Sequence, residues 1–449
     1  MPSENNNNQT TMSYPSTRIA WTTVLILSAT YMFSMLDRQI LVLLIEPIKH
    51  DLNITDTQVS LLTGFAFALV YTFMGVPMGR VADLWVRKYV IIFGVTIWSL
   101  LTIASGFTKS FWQLFAARMG VGFGEAALTP TAYALIPDLF PPNKLARAMS
   151  VFVLGGTAIG GGMSLLLGGY VIGHVESFGA IPVPIIGELR PWQLVLVVVG
   201  LLSLLMVIPL ALLKEPARHI KTSNGKMQDV GQSFSEVLVY MWQQRAFYVP
   251  FAVGAAIANL VAYGMGAWIP SYFIRVHGWD AASTGMTIGA LYIVPALIGG
   301  LLGGWLSDDL YNRGYKGAPL YLMVATLSLA ILSVLLFIYI PSVQASLLFL
   351  IVLYLLVSLF FVLFPTVIQM ATPNRMRAQV SAIHLLIGNL IGIGFGPTSV
   401  ALITDYYFQD EMAVGHSMAI VGFLGYGLAV VLLIFSLKPF ISRQNSMIY

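Results

Sequence analysis

Two oppositely charged residues stand in an otherwise apolar stretch of this sequence. Arg118 and Glu125 are the only charged residues between Phe111 and Leu135. A charged side chain at bilayer depth costs about 2.5–3.5 kcal/mol or more, so such residues usually face a protein interior or a water-filled cavity. A spacing of seven residues places both on nearly the same helix face, about 10 Å apart along the axis. The pair therefore predicts a site inside a membrane-spanning helix.

A second charged pair, Asp37 and Arg38, lies in the apolar stretch 19–45. The helix surface between Arg118 and Glu125 is thin, because it carries three glycines that let a neighbouring helix approach closely: Gly120, Gly122 and Gly124. We therefore expect the two charged stretches to lie on neighbouring helices.

The helical rise predicts the depth of these charges. Asp37 lies about 13 Å and Arg118 about 10 Å below the outer ends of their spans, so we expect these two to pair. Glu125 lies about 21 Å deep, near the midplane. One interpretation is that the four charges only hold two helices together. The other, a proton- or substrate-binding site in a central cavity, is favoured because no other acid lies near the middle of a span.

The composition indicates a polytopic membrane protein. Only 9% of the 449 residues are charged and 57% are hydrophobic, whereas a soluble protein carries about 25% charged residues. The absence of cysteine excludes disulfides and thiolate metal sites. We find no phosphate-binding loop, zinc-ligand spacing or nucleophile–His–acid arrangement. The sequence therefore predicts no enzyme activity and no cofactor.

Stretches of about 20 apolar residues are candidate spans, and the sequence contains twelve. The fold class expected is an all-α membrane protein with twelve transmembrane helices. They cover 19–45, 57–78, 89–107, 111–135, 146–172, 192–213, 246–274, 282–306, 318–340, 345–370, 378–404 and 413–437.

The basic residues predict the orientation of the chain. With both termini in the cytoplasm, 17 Lys and Arg residues fall on the inner side and four on the outer side. This distribution explains the net charge of +4 without a nucleic-acid partner. The predicted organisation is a disordered tail, a six-helix half, a linker with a short amphipathic helix at 233–243, a second six-helix half and a tail: 1–17, 18–213, 214–245, 246–437 and 438–449.

The two halves repeat each other. A shift of 225 residues superimposes four residues of the first half on identical residues of the second: Gly64 on Gly289, Gly75 on Gly300, Gly79 on Gly304 and Asp83 on Asp308. Two parallel six-span repeats with a site at their interface form the major facilitator arrangement, which predicts two pseudo-symmetric six-helix halves.

The loop after the second span resembles the signature of the major facilitator superfamily, G-x-x-x-D-R-x-G-R-R/K. It keeps the first glycine, the aspartate and the final basic pair, and departs at Leu84 and Val86. The resemblance implies a gate on the inner face that stabilises the outward-open state. The residues assigned to it, with their counterparts, are Gly79, Arg80, Asp83, Arg87, Lys88, Asp138, Arg147, Gly304, Asp308 and Arg313.

Within that superfamily the first half resembles Spinster-like transporters, as a bacterial homologue would. The resemblance is carried by 37–41, 47–52, 61–67, 98–99 and 118–126. It implies transport of lysophospholipids or sphingosine-1-phosphate coupled to protons. Matched residue by residue, it assigns proton exchange to Asp37 and Glu125. Arg38 and Arg118 are then their partners or the ligands of an anion.

The second half contributes a neutral wall. Its predicted cavity residues are Asn259, Tyr263, Tyr292, Phe360, Phe364, Gln369 and Asn389. His384 is interpreted as a packing residue, with proton relay as the alternative. A cavity charged on one wall and aromatic on the other suits an amphiphile. A multidrug exporter and a non-transporting sensor or scaffold remain alternatives. The partners expected are an amphiphilic or anionic substrate, protons and membrane lipids, and we expect a monomer.

Overall fold

The computed structural model describes residues 14–183, 187–216, 234–373 and 375–446, and they are almost entirely helical. The helices before the linker are α1 Thr17–Leu43, α2 Ile45–Leu52, α3 Asp56–Ser60, α4 Ala66–Leu84, α5 Arg87–Ser105, α6 Phe111–Glu125, α7 Leu128–Leu135, α8 Pro142–Leu154, α9 Gly160–Glu176, α10 Pro191–Leu205 and α11 Val207–Leu212. Those after it are α12 Phe234–Gln243, α13 Arg245–His277, α14 Ala281–Asn312, α15 Ala318–Tyr339, α16 Val343–Ala371, α17 Arg377–Leu402 and α18 Val414–Ser446.

Short π-helical turns join some of these helices into longer spans. They continue α3 into α4, continue α8 into α9 and extend α17, at Leu61–Phe65, Gly155–Ile159 and Ile403–Phe408. Eleven helices in the described part of the chain are then long and apolar enough to cross a membrane. The protein is therefore an integral, multi-pass membrane protein.

The fourth predicted span, 111–135, is divided into α6 and α7. Pro130 has no N–H to donate, and its ring clashes with the carbonyl four residues earlier, which belongs to Ala126. The chain accordingly turns at Ala126 and Ala127 before the helix resumes. The break directly follows Glu125, so the carboxylate lies at a helix end in mid-span. Counting α6 and α7 together gives the twelve spans that the sequence predicts.

The connecting segments show one difference from the sequence prediction. α18 continues through Ser446 with Pro439 inside it, so most of the predicted tail 438–449 is helical. In the outer loop after α9, strands β1 Ile181–Val183 and β2 Gly187–Leu189 form an antiparallel hairpin. α12 lies where the amphipathic helix is predicted. The predictions for residues 1–13, 217–233 and 447–449 lie outside the described residues.

Paired glycines bring the two halves together symmetrically. We use "outer" for the end of the bundle that carries α2. A Cβ added at Gly64 would lie 2.6 Å from the carbonyl oxygen of Ile393, in α17 of the other half. A Cβ added at its repeat partner Gly289 would lie 2.5 Å from the carbonyl oxygen of Gly162. Each half thus offers one glycine at which a helix of the opposite half approaches backbone to backbone.

Five charged residues, here called the outer ion cluster, join the outer ends of the halves: Glu46, Lys49 and Asp56 from the first half and Arg275 and Glu411 from the second. Arg275 Nε lies 2.9 Å from Glu46 Oε1, and its Nη1 lies 2.6 Å from Asp56 Oδ2. Lys49 contacts Asp56 and lies 2.8 Å from Glu411 Oε1. Because Asp56 is fully buried, these contacts seal the outer end.

The inner stretches of the same helices are apart. A Cβ added at any inner glycine of the repeat meets no atom of the opposite half within 4 Å: Gly75, Gly79, Gly300 and Gly304. The halves therefore touch at the outer end and separate towards the inner end. The crevice between them opens to the inner side.

Candidate functional site

The buried charges of the first half meet through α1 and α6. The glycines between Arg118 and Glu125 do not face α1 as expected, because an added Cβ at Gly120 or Gly124 would meet α5 and one at Gly122 would meet α4. Arg38 Nη2 and Nε each lie 2.7 Å from Oε2 of Glu125. Side chains in a helix tilt towards its N-terminus. α1 begins at the inner end and α6 at the outer end, so Arg38 extends inwards and Glu125 extends outwards. The two side chains therefore meet although Glu125 lies deeper in the bundle.

The two members of this ion pair differ in accessibility. The Arg38 side chain is 20% exposed, whereas the Glu125 side chain is fully buried. The guanidinium of Arg38 also lies over two aromatic rings of α4, 4.4 Å from the centroid of Phe67 and 4.6 Å from that of Tyr71. Arg38 therefore presents its guanidinium to the crevice beside two aromatic rings, and the carboxylate of Glu125 is buried behind it.

The expected pair between Asp37 and Arg118 is wrong. No ion pair joins their side chains among the described residues; Arg118 Nη1 lies 3.5 Å from the carbonyl oxygen of Asp37. The carboxylate of Asp37 instead accepts a hydrogen bond from Ser203 of α10, at 3.4 Å. Consecutive residues of a helix point about 100° apart. Asp37 therefore faces α10, whereas Arg38 faces the crevice. Arg118 is also turned away from the crevice, unlike Glu125, which contacts Arg38.

Asp37 lies in a buried polar region between the helices of the first half. Asp37 and Arg118 are both buried. Asp37 Oδ1, Arg118 Nε and Thr102 Oγ1 have no hydrogen-bond partner in the structure. Buried polar groups of this kind are commonly satisfied by ordered water. Because both charged side chains are buried, the region lies behind the crevice wall rather than on it.

The predicted wall of the second half is only partly at the crevice. Tyr263 is 38% exposed and lies within electrostatic reach of Arg38, across the interface between the halves. Tyr292 is half-buried and packs edge-on against Tyr354, with ring centroids 4.9 Å apart. Asn259 is buried, with its Oδ1 unpartnered.

The assignment of Phe360 and Phe364 to the cavity wall needs correction, because both rings are buried in the hydrophobic core. Phe364 stacks on Phe251, with ring centroids 5.8 Å apart and planes 7° apart. Gln369 is exposed and Asn389 is half-buried.

His384 is placed as a packing residue. Its Nδ1 lies 2.8 Å from the carbonyl oxygen of Val380 in the same helix, which assigns the proton to Nδ1. The ring is buried among aromatic side chains, close to Tyr248, Phe251 and Phe364. Nothing in this surrounding links it to the charges of the first half.

The gating residues divide into a buried anchor and an exposed set. Arg87 Nη1 lies 2.5 Å from Asp138 Oδ2, and its Nε lies 2.9 Å from Glu215 Oε1. Lys88 donates to the carbonyl oxygen of Leu213 at 3.0 Å. These contacts tie the inner ends of α5, α7 and α11 together within one half. Arg313 pairs with Asp309 on its own helix. The exposed set is Arg80, Asp83, Arg147 and Asp308.

Several residues of the site were missed by the sequence analysis. Ser34 donates a hydrogen bond to Glu125, Phe67 and Tyr71 frame Arg38, and Glu215 holds Arg87. Glu215 carried a usable signal, because it is an acid in a strongly basic inner segment. Ser34 carried one only through its position, one helical turn before Arg38. No group of three or more His, Asp or Glu residues in the described ranges could hold a metal ion.

The family follows from a match over most of the sequence. The model of the Major Facilitator Superfamily matches residues 27–397. The chain belongs to the Major Facilitator Superfamily. This confirms the predicted fold of two six-helix halves.

Individual relatives refine the assignment. An MFS-type efflux pump of Mycolicibacterium smegmatis is 27% identical, and the alignment covers 92% of this chain and 93% of the relative. Protein spinster homolog 3 of Danio rerio is 26% identical, over 87% of this chain and 78% of the relative. A crystal structure of a bacterial homologue of the human lysosomal transporter Spinster, inward-facing and unoccupied, is 25% identical. Its TM-score is 0.76, over 97% of this chain and 98% of that one. The resemblance to Spinster-like transporters is confirmed.

Proposed function

We propose that this superfamily member is a proton-coupled secondary active transporter working by alternating access. Its substrate is amphiphilic and lysophospholipid-like, or an organic anion. The observation that carries the proposal is the ion pair of Arg38 and Glu125, in which the cation is accessible and the carboxylate is sealed. An anion entering the crevice therefore reaches Arg38 without meeting Glu125.

Competition between the substrate anion and Glu125 for the guanidinium of Arg38 would couple substrate binding to proton uptake. An anion bound at Arg38 draws the guanidinium away from Glu125. An ionised carboxylate without its cation is costly in a low-dielectric interior, so Glu125 takes up a proton from crevice water. The anion and the proton then occupy the site together, and the charge in the crevice is balanced.

The cycle requires the crevice to open alternately at its two ends. In the present conformation the outer ion cluster closes one end and the inner end is open. Opening the outer end breaks the contacts of Arg275 with Glu46 and Asp56. The inner stretches of α4 and α14 then close, and the gating residues around Asp83 engage. We place the protein in a bacterial inner membrane, and we place both termini in the cytoplasm because of the distribution of its basic residues.

The similarity to an efflux pump of Mycolicibacterium smegmatis favours export as a second candidate function, and the alternative of this kind that the sequence analysis left open is a multidrug exporter. A cationic drug fits poorly, because the charge that faces the crevice is the cation Arg38. Thermal stabilisation of the purified protein by lysolipids, sugar acids and cationic drugs separates the two functions. We expect the anionic compounds to stabilise the protein and Arg38→Gln to remove that effect. Stabilisation by cationic drugs alone supports the exporter.

The decisive variant for proton coupling is Glu125→Gln. The amide keeps the volume and a hydrogen-bonding group, so the variant should insert and pack, but it cannot release a proton. We expect uptake driven by an imposed pH gradient to collapse by at least tenfold, while exchange of internal for external substrate survives. The measurement is flux into proteoliposomes, with and without the gradient, of the anion that binds best in the stabilisation assay.

The matched control is Asp37→Asn. Asp37 faces Ser203 rather than the crevice, so its effect on gradient-driven uptake should be the weaker one. If uptake by the Glu125→Gln protein still responds fully to the pH gradient, the coupled proton must be assigned to Asp37 or His384 instead. A wild-type protein that shows neither substrate nor proton flux supports a sensor or scaffold instead.

A further inference from the structure

A serine shares the carboxylate oxygen that Arg38 holds. Ser34 Oγ donates to Glu125 Oε2 at 2.6 Å, and both side chains are buried. Ser34 and Arg38 are four residues apart, so they lie on one face of α1, one turn from each other. α1 thus directs two donors to a single oxygen of Glu125. The other oxygen, Oε1, is buried and has no partner in the structure.

Other hydroxyl groups of α1 behave differently from that of Ser34. Thr23, Ser28 and Thr30 each donate to the carbonyl oxygen four residues earlier, at 2.9, 2.8 and 2.8 Å. This local bond is the usual choice of a serine or threonine inside a helix. Ser34 donates to Glu125 instead, because a hydrogen bond to a carboxylate is about twice as strong as one between neutral groups. Its local alternative is the carbonyl oxygen of Thr30.

We propose that Ser34 is the positioning residue for the proton step at Glu125, through a hydroxyl that alternates between two acceptors. The inference rests on the proposed function. While Glu125 is ionised, Ser34 donates to Oε2 and fixes the carboxylate against Arg38. When Arg38 turns to an anion, hydronium in the crevice transfers a proton to Oε1, which forms an O–H bond there and leaves a water molecule. Ser34 then returns to the carbonyl oxygen of Thr30, as its neighbours on α1 already do, and releases α1 from α6.

The exchange leaves no polar hydrogen of Ser34 unpartnered in either state. The same hydrogen bond that stabilises ionised Glu125 is replaced by a local one after protonation. An alanine at this position removes the first bond and offers no second one. The proton step at Glu125 therefore depends on Ser34 as well as on Arg38.

The other groups that act on Glu125 remain in place when Ser34 is changed. The charged and titratable residues that face it or its ion-pair partner are Tyr31, Asp37 and Arg38 of α1, Tyr71 of α4, Arg118 of its own helix and Tyr263 of α13. The part of α5 that packs against α6, residues 94–101, contains no titratable side chain. A change in the titration of Glu125 in a Ser34 variant then reports on the one hydrogen bond.

Infrared spectroscopy of the purified full-length protein tests the inference without a substrate. The C=O stretch of the protonated carboxyl is followed as the pH is varied, and the band of Glu125 is the one that Glu125→Gln removes. Ser34→Ala should move the midpoint of that band upwards by about one pH unit, since one hydrogen bond to a charged group is lost. Ser34→Thr keeps the hydroxyl and should restore the midpoint.

Thr30→Val is the matched control, because it removes a hydroxyl from the same helix that bonds only to its own backbone. Its midpoint should equal that of the wild type. Ser34→Cys has a weaker donor and should give an intermediate shift; it serves as the test if Ser34→Ala does not fold. An unchanged midpoint in the Ser34 variants overturns the inference, and so does a Glu125 band that never appears.

These outcomes are separable from failure of the proposed function. If Glu125→Gln abolishes gradient-driven uptake and Ser34→Ala leaves the midpoint unchanged, the transport proposal stands and the role of Ser34 is wrong. The opposite outcome is also informative. If Ser34→Ala moves the midpoint of the Glu125 band while uptake by Glu125→Gln still responds to the pH gradient, Ser34 acts on a carboxyl group that does not carry the coupled proton.

Discussion

Asp37 and Arg118 are buried charges that do not face the crevice. The carboxylate of Asp37 has one hydrogen bond, from Ser203, and one oxygen without a partner. Arg118 approaches the backbone of Asp37 and lies 5.7 Å from the ring centroid of Phe67. The two side chains therefore support each other electrostatically inside the first half. Their main contribution is therefore to stability inside the first half rather than to binding in the crevice.

Removing one of these charges should destabilise the protein. Arg118→Ala leaves Asp37 without its nearest cation in a buried site, and we expect a loss of about 3 kcal/mol in the free energy of unfolding. Asp37→Asn removes the remaining charge, so the double variant should recover part of that loss. Thermal unfolding of the two single variants and the double variant in detergent measures the coupling.

Transport by the same variants separates packing from function. If Arg118 acts only in packing, the double variant recovers gradient-driven uptake together with stability. If Arg118 also tunes proton exchange, stability returns and uptake does not. An Arg118→Ala protein as stable as the wild type contradicts the packing role.

The charges of this site could be predicted from the sequence, but their partners could not. Asp37, Arg38, Arg118 and Glu125 were identifiable because each interrupts an apolar span. Which of them pair depends on the rotation of α1 about its axis and on the reach of an arginine along it. Neither quantity can be derived from spacing alone. Ser34 was hidden for another reason, since a serine in a membrane helix is common and usually bonds to its own backbone.

At the scale of the helices, the repeat glycines control how closely the halves approach at the outer end. Gly64→Ala places a Cβ 2.6 Å from the carbonyl oxygen of Ile393, too close for the present packing. α4 and α17 must then separate at their outer ends. We expect the variant to populate conformations in which the outer distance between the halves is longer. Gly289→Ala should act in the same way on α9 and α14.

Spin labels on cysteines introduced at the two ends of the crevice measure these distances, and the chain has no cysteine of its own. Gly75→Ala and Gly304→Ala are the controls, because an added Cβ there meets no atom within 4 Å. They should leave the outer distances unchanged. Equal effects at inner and outer glycines are incompatible with this account.

The helices differ in how much of their placement the sequence could predict. Pro130 was identifiable as a kink or end, and the clash with the carbonyl four residues earlier explains the turn after Glu125. α16 is the opposite case. Eighteen consecutive residues of it have a mean hydropathy of 3.1, so apolar residues occupy all of its faces and none is marked as the buried one. The sequence could not decide whether Phe360 and Phe364 face the crevice or the core.

At the scale of the whole molecule, the outer ion cluster holds the present conformation. Arg275 is its central residue, because it bonds to Glu46 and Asp56 of the opposite half while it is itself 5% exposed. Arg275→Gln leaves the buried carboxylate of Asp56 with Lys49 as its remaining cation. The outer end should therefore open, and the population with a closed outer end should fall severalfold. Distances between spin labels across the outer end measure that population.

A second, chemical measurement uses the approach of Ser60 to Thr398, whose hydroxyl oxygens lie 3.1 Å apart across the halves. Cysteines at both positions should cross-link under oxidation, and less efficiently with Arg275→Gln. Lys109→Gln removes a basic charge from the same side without touching the cluster and is the control. Cross-linking that is equally efficient in all three backgrounds contradicts a holding role for the cluster.

The uneven distribution of charge between the halves bears on how such a transporter can diverge. Within the spans, the acids and arginines of the site belong to the first half, while the second half contributes Tyr263, Tyr292 and Asn259 to the opposite side. Under the proposed function, proton exchange and the binding of an anionic group thus depend on the first half, whereas contacts with the rest of the substrate depend on the second half. Replacements in α13 and α14 can then alter what is carried while the ion pair of Arg38 and Glu125 is inherited intact. Descendants of one such ancestor can therefore share a driving force and differ in cargo.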